Sequence, residues 1–229
     1  LSADLVIAQV NPRMPRVLGR SFIHVDDVDV VVEHEEDLLT VGDVVELEAG
    51  KMIGRYVARL VEDGSTLQLG LGATPQATLV AMEDKNDLGV HTEFLTDGLL
   101  DLISRGVITN RKKGVNEGKL VASSAIGTMN LYEYLHDNPA IEFHPSNYVN
   151  SPAVIASHHK MVSLNVATVM DLTGQVAVDA LPHNHFSGVT GVLDFVRGAA
   201  QSVNGKSILM LVSTARNGTI SRIDRKSVV

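Results

Sequence analysis

Residues 65–75 read STLQLGLGATP, and this stretch decides the class of fold. The apolar run Ser65 to Leu69 predicts a β-strand, and Gly70-Leu71-Gly72 predicts a tight turn directly after it. Thr74 and Pro75 are residue types preferred at the N-cap and at the first position of a helix. Strand, loop and helix in this succession form the repeating unit of α/β proteins.

The same alternation continues along the chain. A helical spacing of apolar residues begins at Gly50, and Gly64 stands where the left-handed residue after a helix is expected. Further strands are predicted at residues 89–94, 119–125, 140–144, 161–172, 176–181 and 207–212, and further helices at 97–105, 130–136, 152–159 and 192–200. We therefore predict an α/β fold, an open sheet with flanking helices.

Two β-rich runs, at residues 4–10 and 22–34, precede the first helix. We interpret residues 1–48 as the C-terminal part of an upstream α/β domain and residues 49–223 as a second α/β domain. Because the chain begins within a strand-like run and ends without a closing element, we expect it to be truncated at both ends. Residues 224–229 are predicted to be a tail outside the second domain.

The composition narrows the classes of function. A chain of 229 residues with 45% hydrophobic and 20% charged residues can bury a core, which excludes a disordered tail. The sequence has no Cys and no Trp, so a disulfide framework, a zinc-thiolate site and a thiol nucleophile are excluded. No apolar run approaches the roughly 18 residues of a membrane span, and a net charge of -8 does not suit general nucleic-acid binding. We expect no nucleic-acid partner, no membrane insertion and a cytoplasmic location.

Two glycine-containing loops after predicted strands are candidates for a binding site, because ligands of open α/β sheets bind beyond the carboxyl ends of the strands. The loop Gly70–Pro75 lacks the third glycine of a dinucleotide fingerprint and the Lys-Ser/Thr of a P-loop. Its backbone at a helix N-terminus suits an anion or a carbonyl oxygen. The loop Phe186–Gly191 has the same character. In both loops, a tight turn without a ligand is the alternative.

A carboxylate and an imidazole alternate near the end of the predicted strand 89–94. If Glu93 were buried without a partner, its desolvation would cost several kcal/mol. His91 precedes it by two residues, lies on the same strand face and is a candidate partner. The alternative is an edge strand with both side chains in water.

Three further polar clusters have simpler interpretations. His183-Asn184-His185 offers two imidazoles without an evident third ligand, so we predict no metal site. His158 and His159 are interpreted as a solvated helix end. Arg111-Lys112-Lys113 is either a solvated loop or a site for the phosphates of a nucleotide-bearing ligand.

Several short motifs follow one another along the chain. They are Asn11-Pro12-Arg13-Met14-Pro15, Phe22-Ile23-His24-Val25, Gly70-Leu71-Gly72-Ala73-Thr74-Pro75, His91-Thr92-Glu93, Tyr148-Val149-Asn150-Ser151-Pro152, Asp171-Leu172-Thr173-Gly174-Gln175-Val176, Ser187-Gly188-Val189-Thr190-Gly191 and Asp194-Phe195-Val196-Arg197-Gly198-Ala199. In this order they resemble the acetyl-CoA hydrolase/transferase family, and in particular its 4-hydroxybutyrate and butyrate:acetate CoA-transferases. The resemblance runs from about Ala3 to Ile223, and it implies a CoA-transferase-like sheet.

The resemblance implies ping-pong transfer of CoA from a short-chain acyl-CoA to a free carboxylate of the acetate, butyrate or 4-hydroxybutyrate type. Glu93 matches the family's nucleophile and would form a glutamyl-CoA thioester. The Asn150 side chain and the backbone N–H groups of Gly188 and Gly191 would stabilise the oxyanions. CoA would be a substrate, with no permanently bound cofactor. The residues assigned to CoA binding are Gly70, Gly72, Ala73 and Thr74 beside the thioester and pantetheine, and Lys112 and Lys113 at the phosphates.

Two other functions use the same sequence features. Attack of water on the glutamyl-CoA thioester would give an acyl-CoA hydrolase with identical residues. A non-catalytic domain that senses an acyl-CoA or a sugar phosphate would use the loops and leave Glu93 dispensable. The sequence departs from the family at Thr190, where a second glycine is common, and near residues 183–186, where a Gly-Arg-Gln-like stretch is common.

A homo-oligomer is compatible with the sequence.

Overall fold

The computed structural model describes residues 3–42, 48–181, 184–185, 188 and 190–225. Within these residues the strands are β1 (Ile7–Val10), β2 (Val30–Glu33), β3 (Thr66–Leu69), β4 (Gly89–Leu95), β5 (Leu120–Ala125), β6 (Ile141–Phe143), β7 (Met161–Val166), β8 (Val169–Asp171), β9 (Val176–Ala177), β10 (Ala180–Leu181), β11 (Asn184–His185), β12 (Lys206–Met210), β13 (Thr214–Ala215), β14 (Ile220–Ser221) and β15 (Ile223–Asp224). The helices are α1 (Glu48–Ala58), α2 (Ala73–Val80), α3 (Gly98–Ser104), α4 (Met129–Leu135), α5 (Ser146–Val149), α6 (Pro152–Ala156) and α7 (Val192–Gln201), with a 3-10 turn at Val25–Asp27.

A six-stranded parallel sheet with the order β12-β7-β3-β4-β5-β6 lies at the centre. The chain runs outward from β3 through β4 and β5 to β6, and then returns to β7 on the other side of β3. This reversal creates a topological switch point between β3 and β7, where the ligands of open α/β sheets bind. The predicted α/β sheet with flanking helices is confirmed.

Helices cover both faces of this sheet. Helices α1 to α4 pack on one face through a large apolar cluster that includes Val57, Leu79, Leu99 and Leu131. Helices α5, α6 and α7 cover the other face, where a smaller cluster forms around Phe195. Both faces are therefore protected from water, as expected for parallel strands.

The N-terminal segment forms a small sheet of its own and also joins the central one. Strands β1 and β2 pair in parallel, with Ile7 opposite Val30. Only the last part of the predicted β-rich run 22–34 is a strand, because the His24 ring accepts a hydrogen bond from the backbone N–H of Asp26 and starts the 3-10 turn. Gly19 forms a parallel bridge with Phe143 at the edge of β6. Whether residues 1–48 and 49–223 are separate domains stays a prediction.

Several predicted elements differ from the structure. The predicted strand 176–181 is two short strands, because β9 pairs with β8 whereas β10 pairs with β11. Thr74 is not an N-cap, because Gly72 holds that position and α2 begins at Ala73. The predicted strand 161–172 is two strands, since β7 pairs in the central sheet while β8 pairs with β9 and β15. The change of partner falls at Thr168, whose N–H donates to Ala177 O at 2.9 Å.

The C-terminal end of the described chain joins this second sheet. Asp224, the first residue of the predicted tail 224–229, lies in β15 and pairs with Asp171 of β8. Among the helices of the described residues, none has the length and apolar character required to cross a membrane.

Candidate active site

Glu93 lies near the carboxyl end of β4, on the sheet face that α5 to α7 cover, and its side chain is partly buried. Asn150 follows the last residue of α5, and its Nδ2 donates a hydrogen bond to Glu93 Oε1 at 3.3 Å. An amide that donates to a carboxylate also fixes its own orientation, because its oxygen must then point away. The structure therefore brings together two residues that are 57 positions apart in the sequence.

Gly191 at the start of α7 completes this group. A Cβ atom built on Gly191 would lie 2.5 Å from Asn150 Nδ2 and 2.8 Å from Glu93 Oε2, so a side chain there would displace the amide and the carboxylate. The φ angle of Gly191 is -68°, which any residue can adopt. Close approach, and not backbone conformation, is the reason for glycine at this position. Glu93, Asn150 and Gly191 thus form one crevice, which we call the Glu93 crevice.

The Asn150 side chain has spare hydrogen-bonding capacity. Its Oδ1 is buried and has no partner within the described part of the chain. Its Nδ2 carries two N–H groups, only one of which is needed for Glu93. The amide can therefore hold the carboxylate and still contact a second group in the crevice.

The glycine loop after β3 lies at the switch point. The N–H of Gly70 donates to Leu164 O at 2.7 Å, and a Cβ atom on Gly70 would lie 3.2 Å from Asn165 Oδ1 on β7. Gly72 has a φ of 115°, a conformation that favours glycine, and the space around it is open. Ala73 and Thr74 form the first turn of α2. The backbone at this helix N-terminus is accessible to a ligand.

A groove of about 740 Å³ runs along this edge of the sheet. Its walls come from the carboxyl ends of β3, β4 and β5 and from α2. Its lining includes Gly70, Leu71, Gly72, Gln76, Asp97, Gly127 and Thr128. Glu93 is not in the lining, so the groove and the Glu93 crevice are separate features of one edge. The volume lies in the range of small-molecule sites.

A buried amide pair supports the glycine loop from β3 and β7. Gln68 and Asn165 exchange two hydrogen bonds, both 2.9 Å long, and Asn165 Nδ2 also donates to Ser163 Oγ at 3.1 Å. All three side chains are buried. This reciprocal pairing satisfies both amides without water, which makes the switch point rigid.

His91 is not the partner of Glu93, and it does not lie in water either, so both interpretations of this pair are wrong for His91. His91 is fully buried, and its Nε2 donates to the backbone carbonyl of Val149 at 2.8 Å. Burial lowers the pKa of His91 to about 3, with a smaller effect of Lys113, so the ring is neutral. Because a carbonyl can only accept, the single ring proton is on Nε2. No sequence signal points to this partner.

The lysines do not lie with the glycine loops. Lys113 is only 6% exposed, and its Nζ donates to Val90 O at 2.8 Å and to Lys119 O at 2.6 Å. Burial lowers its pKa to about 7. Its side chain lies beside Gly89, at the amino end of β4, opposite the carboxyl edge that holds Glu93. A phosphate cannot reach this nitrogen, and Lys112 lies beside Gly64 at the same distant end.

His158 also differs from the expectation of a solvated helix end. It is 1% exposed, and its ring centroid lies 4.7 Å from that of His91. Burial lowers the pKa of His158 to about 2, with smaller effects of His91 and Lys113. His159 is exposed, as expected.

The second candidate loop is described only in part. Gly188 and Thr190 are exposed, whereas Phe186, Ser187 and Val189 lie outside the described residues. His183 also lies outside them, so its pairing with His185 is not described. Among the residues that are described, no group of three or more His, Asp or Glu side chains could hold a metal ion.

A model of a known protein family matches the C-terminal part of the chain. The model of the acetyl-CoA hydrolase/transferase C-terminal domain matches residues 127–227. The match contains Asn150 and Gly191. It extends to residue 227, whereas the resemblance drawn from the motifs ends at Ile223 and leaves residues 224–229 as a tail outside the family.

Curated relatives and a solved structure match nearly the whole chain. A 4-hydroxybutyrate coenzyme A transferase of Clostridium kluyveri is 46% identical over 222 residues, which are 97% of this chain and 52% of the relative. A succinyl-CoA:cyclohexane-1-carboxylate CoA transferase of Geobacter metallireducens is 45% identical over 96% of this chain and 51% of the relative. The crystal structure of RipA from Yersinia pestis has a TM-score of 0.90 at 42% identity, over 99% of this chain and 51% of that chain. The chain spans about half the length of the curated relatives it matches.

Proposed function

Because the chain belongs to the acetyl-CoA hydrolase/transferase family, we propose that it transfers CoA from a short-chain acyl-CoA to a free carboxylate. The observation that carries the proposal is the contact of Glu93 with Asn150 and Gly191 in one crevice. The relatives named above are transferases of CoA between carboxylic acids, which supports the same class of substrates here.

The chemistry begins with Glu93 as the nucleophile. Its carboxylate attacks the thioester carbonyl, CoA thiolate leaves, and an acyl-glutamyl anhydride remains. The thiolate then attacks the Glu93 carbonyl of the anhydride, which releases the first acid and leaves a glutamyl-CoA thioester. A second carboxylate takes the CoA through the same two steps in reverse, so atoms and charge balance without another reagent. Covalent intermediates suit a weak nucleophile, since they divide one difficult step into easier ones.

Each attack places negative charge on a carbonyl oxygen that needs preorganised donors. We assign this role to the second N–H of the Asn150 amide and to the backbone N–H groups of Gly191 and Gly188, which would border the position where the charge develops. In other acyl-transfer sites one such donor contributes about 3 to 4 kcal/mol of transition-state stabilisation. Asn150 would therefore orient Glu93 in the resting enzyme and stabilise the oxyanion during the reaction.

The rest of the substrate would lie along the carboxyl edge of the sheet. The open backbone at Gly72, followed by Ala73 and Thr74, would offer N–H groups to the thioester and to pantetheine. Gly70, whose own N–H is bonded to Leu164 O, would contribute by allowing the substrate to approach the loop closely. The adjoining groove is large enough for the pantetheine part of the acyl-CoA substrate. Binding energy from this remote part would be used to orient the reacting atoms. We expect the reaction to take place in the cytoplasm, with acetate, butyrate or 4-hydroxybutyrate as the type of acid.

The test compares Glu93→Gln with the wild type, for this chain as it stands and for the chain extended to the full length of its relatives. After treatment with butyryl-CoA, mass spectrometry of the Glu93 peptide should find a CoA adduct in the wild type and none in Glu93→Gln. The control Glu117→Gln changes an exposed carboxylate and should keep the adduct. Unchanged turnover in Glu93→Gln would contradict the proposal. Binding of butyryl-CoA by the wild type without turnover and without an adduct would favour the sensing domain.

The same assay separates transferase from hydrolase. Butyryl-CoA is supplied with and without acetate, and the formation of acetyl-CoA is compared with the release of free CoA. We expect acetyl-CoA to be the main product. Release of free CoA at the same rate with and without acetate would identify a hydrolase that uses the same residues.

A further inference from the structure

Two hydrogen bonds join β4 to the end of α5 and close a ring. His91 and Glu93 lie two residues apart on one face of β4. His91 Nε2 donates to Val149 O at 2.8 Å, and the next residue, Asn150, donates from Nδ2 to Glu93 Oε1 at 3.3 Å. The ring is closed by β4, which carries His91 and Glu93, and by the peptide unit between Val149 and Asn150.

We propose that His91 is a positioning residue that holds the Asn150 amide against Glu93. The consequence for catalysis rests on the proposed function, whereas the positioning itself rests on the geometry alone. No hydrogen bond joins the His91 ring to the Glu93 carboxylate, since its Nε2 bonds to Val149 O and its Nδ1 has no partner among the described residues. His91 acts through the backbone of Val149, which carries the amide.

The short helix α5 explains why such a contact is needed. Helix α5 has only four residues, Ser146–Val149. Its last carbonyl groups therefore receive no hydrogen bond from within the helix, and each needs a donor from elsewhere. The N–H of Asn150 bonds back to Ser146 O at 2.8 Å, but Val149 O receives its hydrogen bond from His91. Without that donor, one of the two hydrogen bonds between the helix end and the strand would be lost, and the bond from Asn150 to Glu93 would remain without support from the backbone of Val149.

The surroundings of His91 make the link rigid. Its ring lies 6.4 Å from Tyr148, 4.7 Å from His158 and 6.3 Å from Phe195, measured between centroids. These rings limit the orientations open to the imidazole, so Nε2 stays directed at Val149 O. Phenylalanine would fill much of this space without a donor, whereas glutamine would place an amide N–H at a similar distance from the backbone.

The first experiment measures kcat and KM for butyryl-CoA in the extended protein. We expect His91→Phe to lower kcat about tenfold to a hundredfold and to change KM less than about threefold, because the donor acts in the transition state. His91→Gln should recover most of the kcat. Equal losses in both variants, or a loss confined to KM, would overturn the proposal.

A double-mutant cycle distinguishes positioning from a general loosening of the core. Once Asn150→Ala has removed the amide, His91→Phe should lower kcat by less than about threefold further. The control Ile155→Val trims a side chain in the same buried cluster and should change kcat by less than about twofold. Full additivity of His91→Phe and Asn150→Ala would overturn the proposal.

A second measurement does not depend on activity. NMR spectra of the ¹⁵N-labelled 229-residue chain report on the side-chain amide of Asn150. In His91→Phe its amide protons should change chemical shift and exchange faster with water. In His91→Gln both the shift and the exchange rate should return toward the wild-type values. An unchanged Asn150 signal in His91→Phe would contradict the positioning role. If the wild type forms no CoA adduct, the proposed function fails, and this spectrum still decides the role of His91.

Discussion

One face of the six-stranded sheet buries a continuous apolar cluster, whereas the other buries amides, an imidazole and hydroxyl groups. On the face covered by α1 to α4, which we call the apolar face, Leu67, Val90 and Leu164 are almost fully buried among other aliphatic side chains. On the face covered by α5 to α7, the polar face, the buried strand residues include Gln68, His91, Ser163 and Asn165. Because side chains alternate along a strand, the same strands supply both sets.

This difference indicates a division of roles within one sheet. Burial of aliphatic side chains is non-directional and supplies most of the free energy of folding. Buried polar groups contribute little net stability, yet each must find a partner in a defined direction. The polar face therefore provides orientation, and it ends at the Glu93 crevice. Mutations on the two faces should have different consequences.

The largest effect is expected from the apolar face. Leu67→Ala should lower the free energy of unfolding by about 2 to 5 kcal/mol, because it removes buried methyl groups and leaves a cavity in a fully packed site. Urea unfolding followed by circular dichroism measures this loss. A change below about 1 kcal/mol would mean that this face does not carry the stability.

The polar face should lose activity with little loss of stability. Gly191→Ala would push Asn150 and Glu93 apart, and we expect kcat to fall about a hundredfold, comparable with removal of one oxyanion donor. The free energy of unfolding should change by less than about 1 kcal/mol, since the φ of Gly191 suits alanine.

A second glycine of α7 provides the matched control for Gly191. A Cβ atom on Gly198 would lie 2.5 Å from the Ile155 side chain, in the core and away from Glu93. Gly198→Ala should therefore lower stability while the folded fraction keeps its kcat. If both alanine variants lost stability and activity in the same proportion, the two roles would not be separable.

Much of the fold and part of the site could be predicted from the sequence. The run 65–75 specified strand, turn and helix because apolar spacing and glycine act within a few residues. The family resemblance, rather than a local pattern, singles out Glu93, Asn150 and Gly191, and the structure brings these three residues close together. The assignment of their catalytic roles remains part of the proposal.

The remaining features depend on contacts that are distant in sequence. The partner of His91 is 58 positions away and is a backbone carbonyl, which no side-chain pattern reveals. The basic run Arg111-Lys112-Lys113 suits phosphates or a solvated loop, but two carbonyl oxygens bind the Lys113 amine in the interior. The predicted strand 161–172 is divided because the chain changes its pairing partner at Thr168. The residue types on both sides of Thr168 are typical of strands, so the sequence pattern does not show the division.

The smallest effect is a pH dependence that the polar face should impose on stability. His158 and His91 are buried and neutral, with pKa values lowered to about 2 and about 3 from 6.5. Between these values and pH 6.5 the unfolded chain binds protons that the folded chain does not, so stability is complete above about pH 6.5 and falls as the pH drops. From pH 7 to pH 5 each histidine should remove about 2 kcal/mol.

The variant His158→Phe tests this origin of the pH dependence. It removes one titrating ring from the polar face and should reduce the loss of unfolding free energy between pH 7 and pH 5 by about 2 kcal/mol, measured by urea unfolding at both pH values. His159→Phe changes the exposed neighbour and should keep the wild-type dependence. Equal pH dependence in wild type and His158→Phe would show that the buried imidazoles are not what makes the polar face sensitive to acid. The polar face would then orient the groups of the Glu93 crevice without His158 making the free energy of unfolding depend on pH.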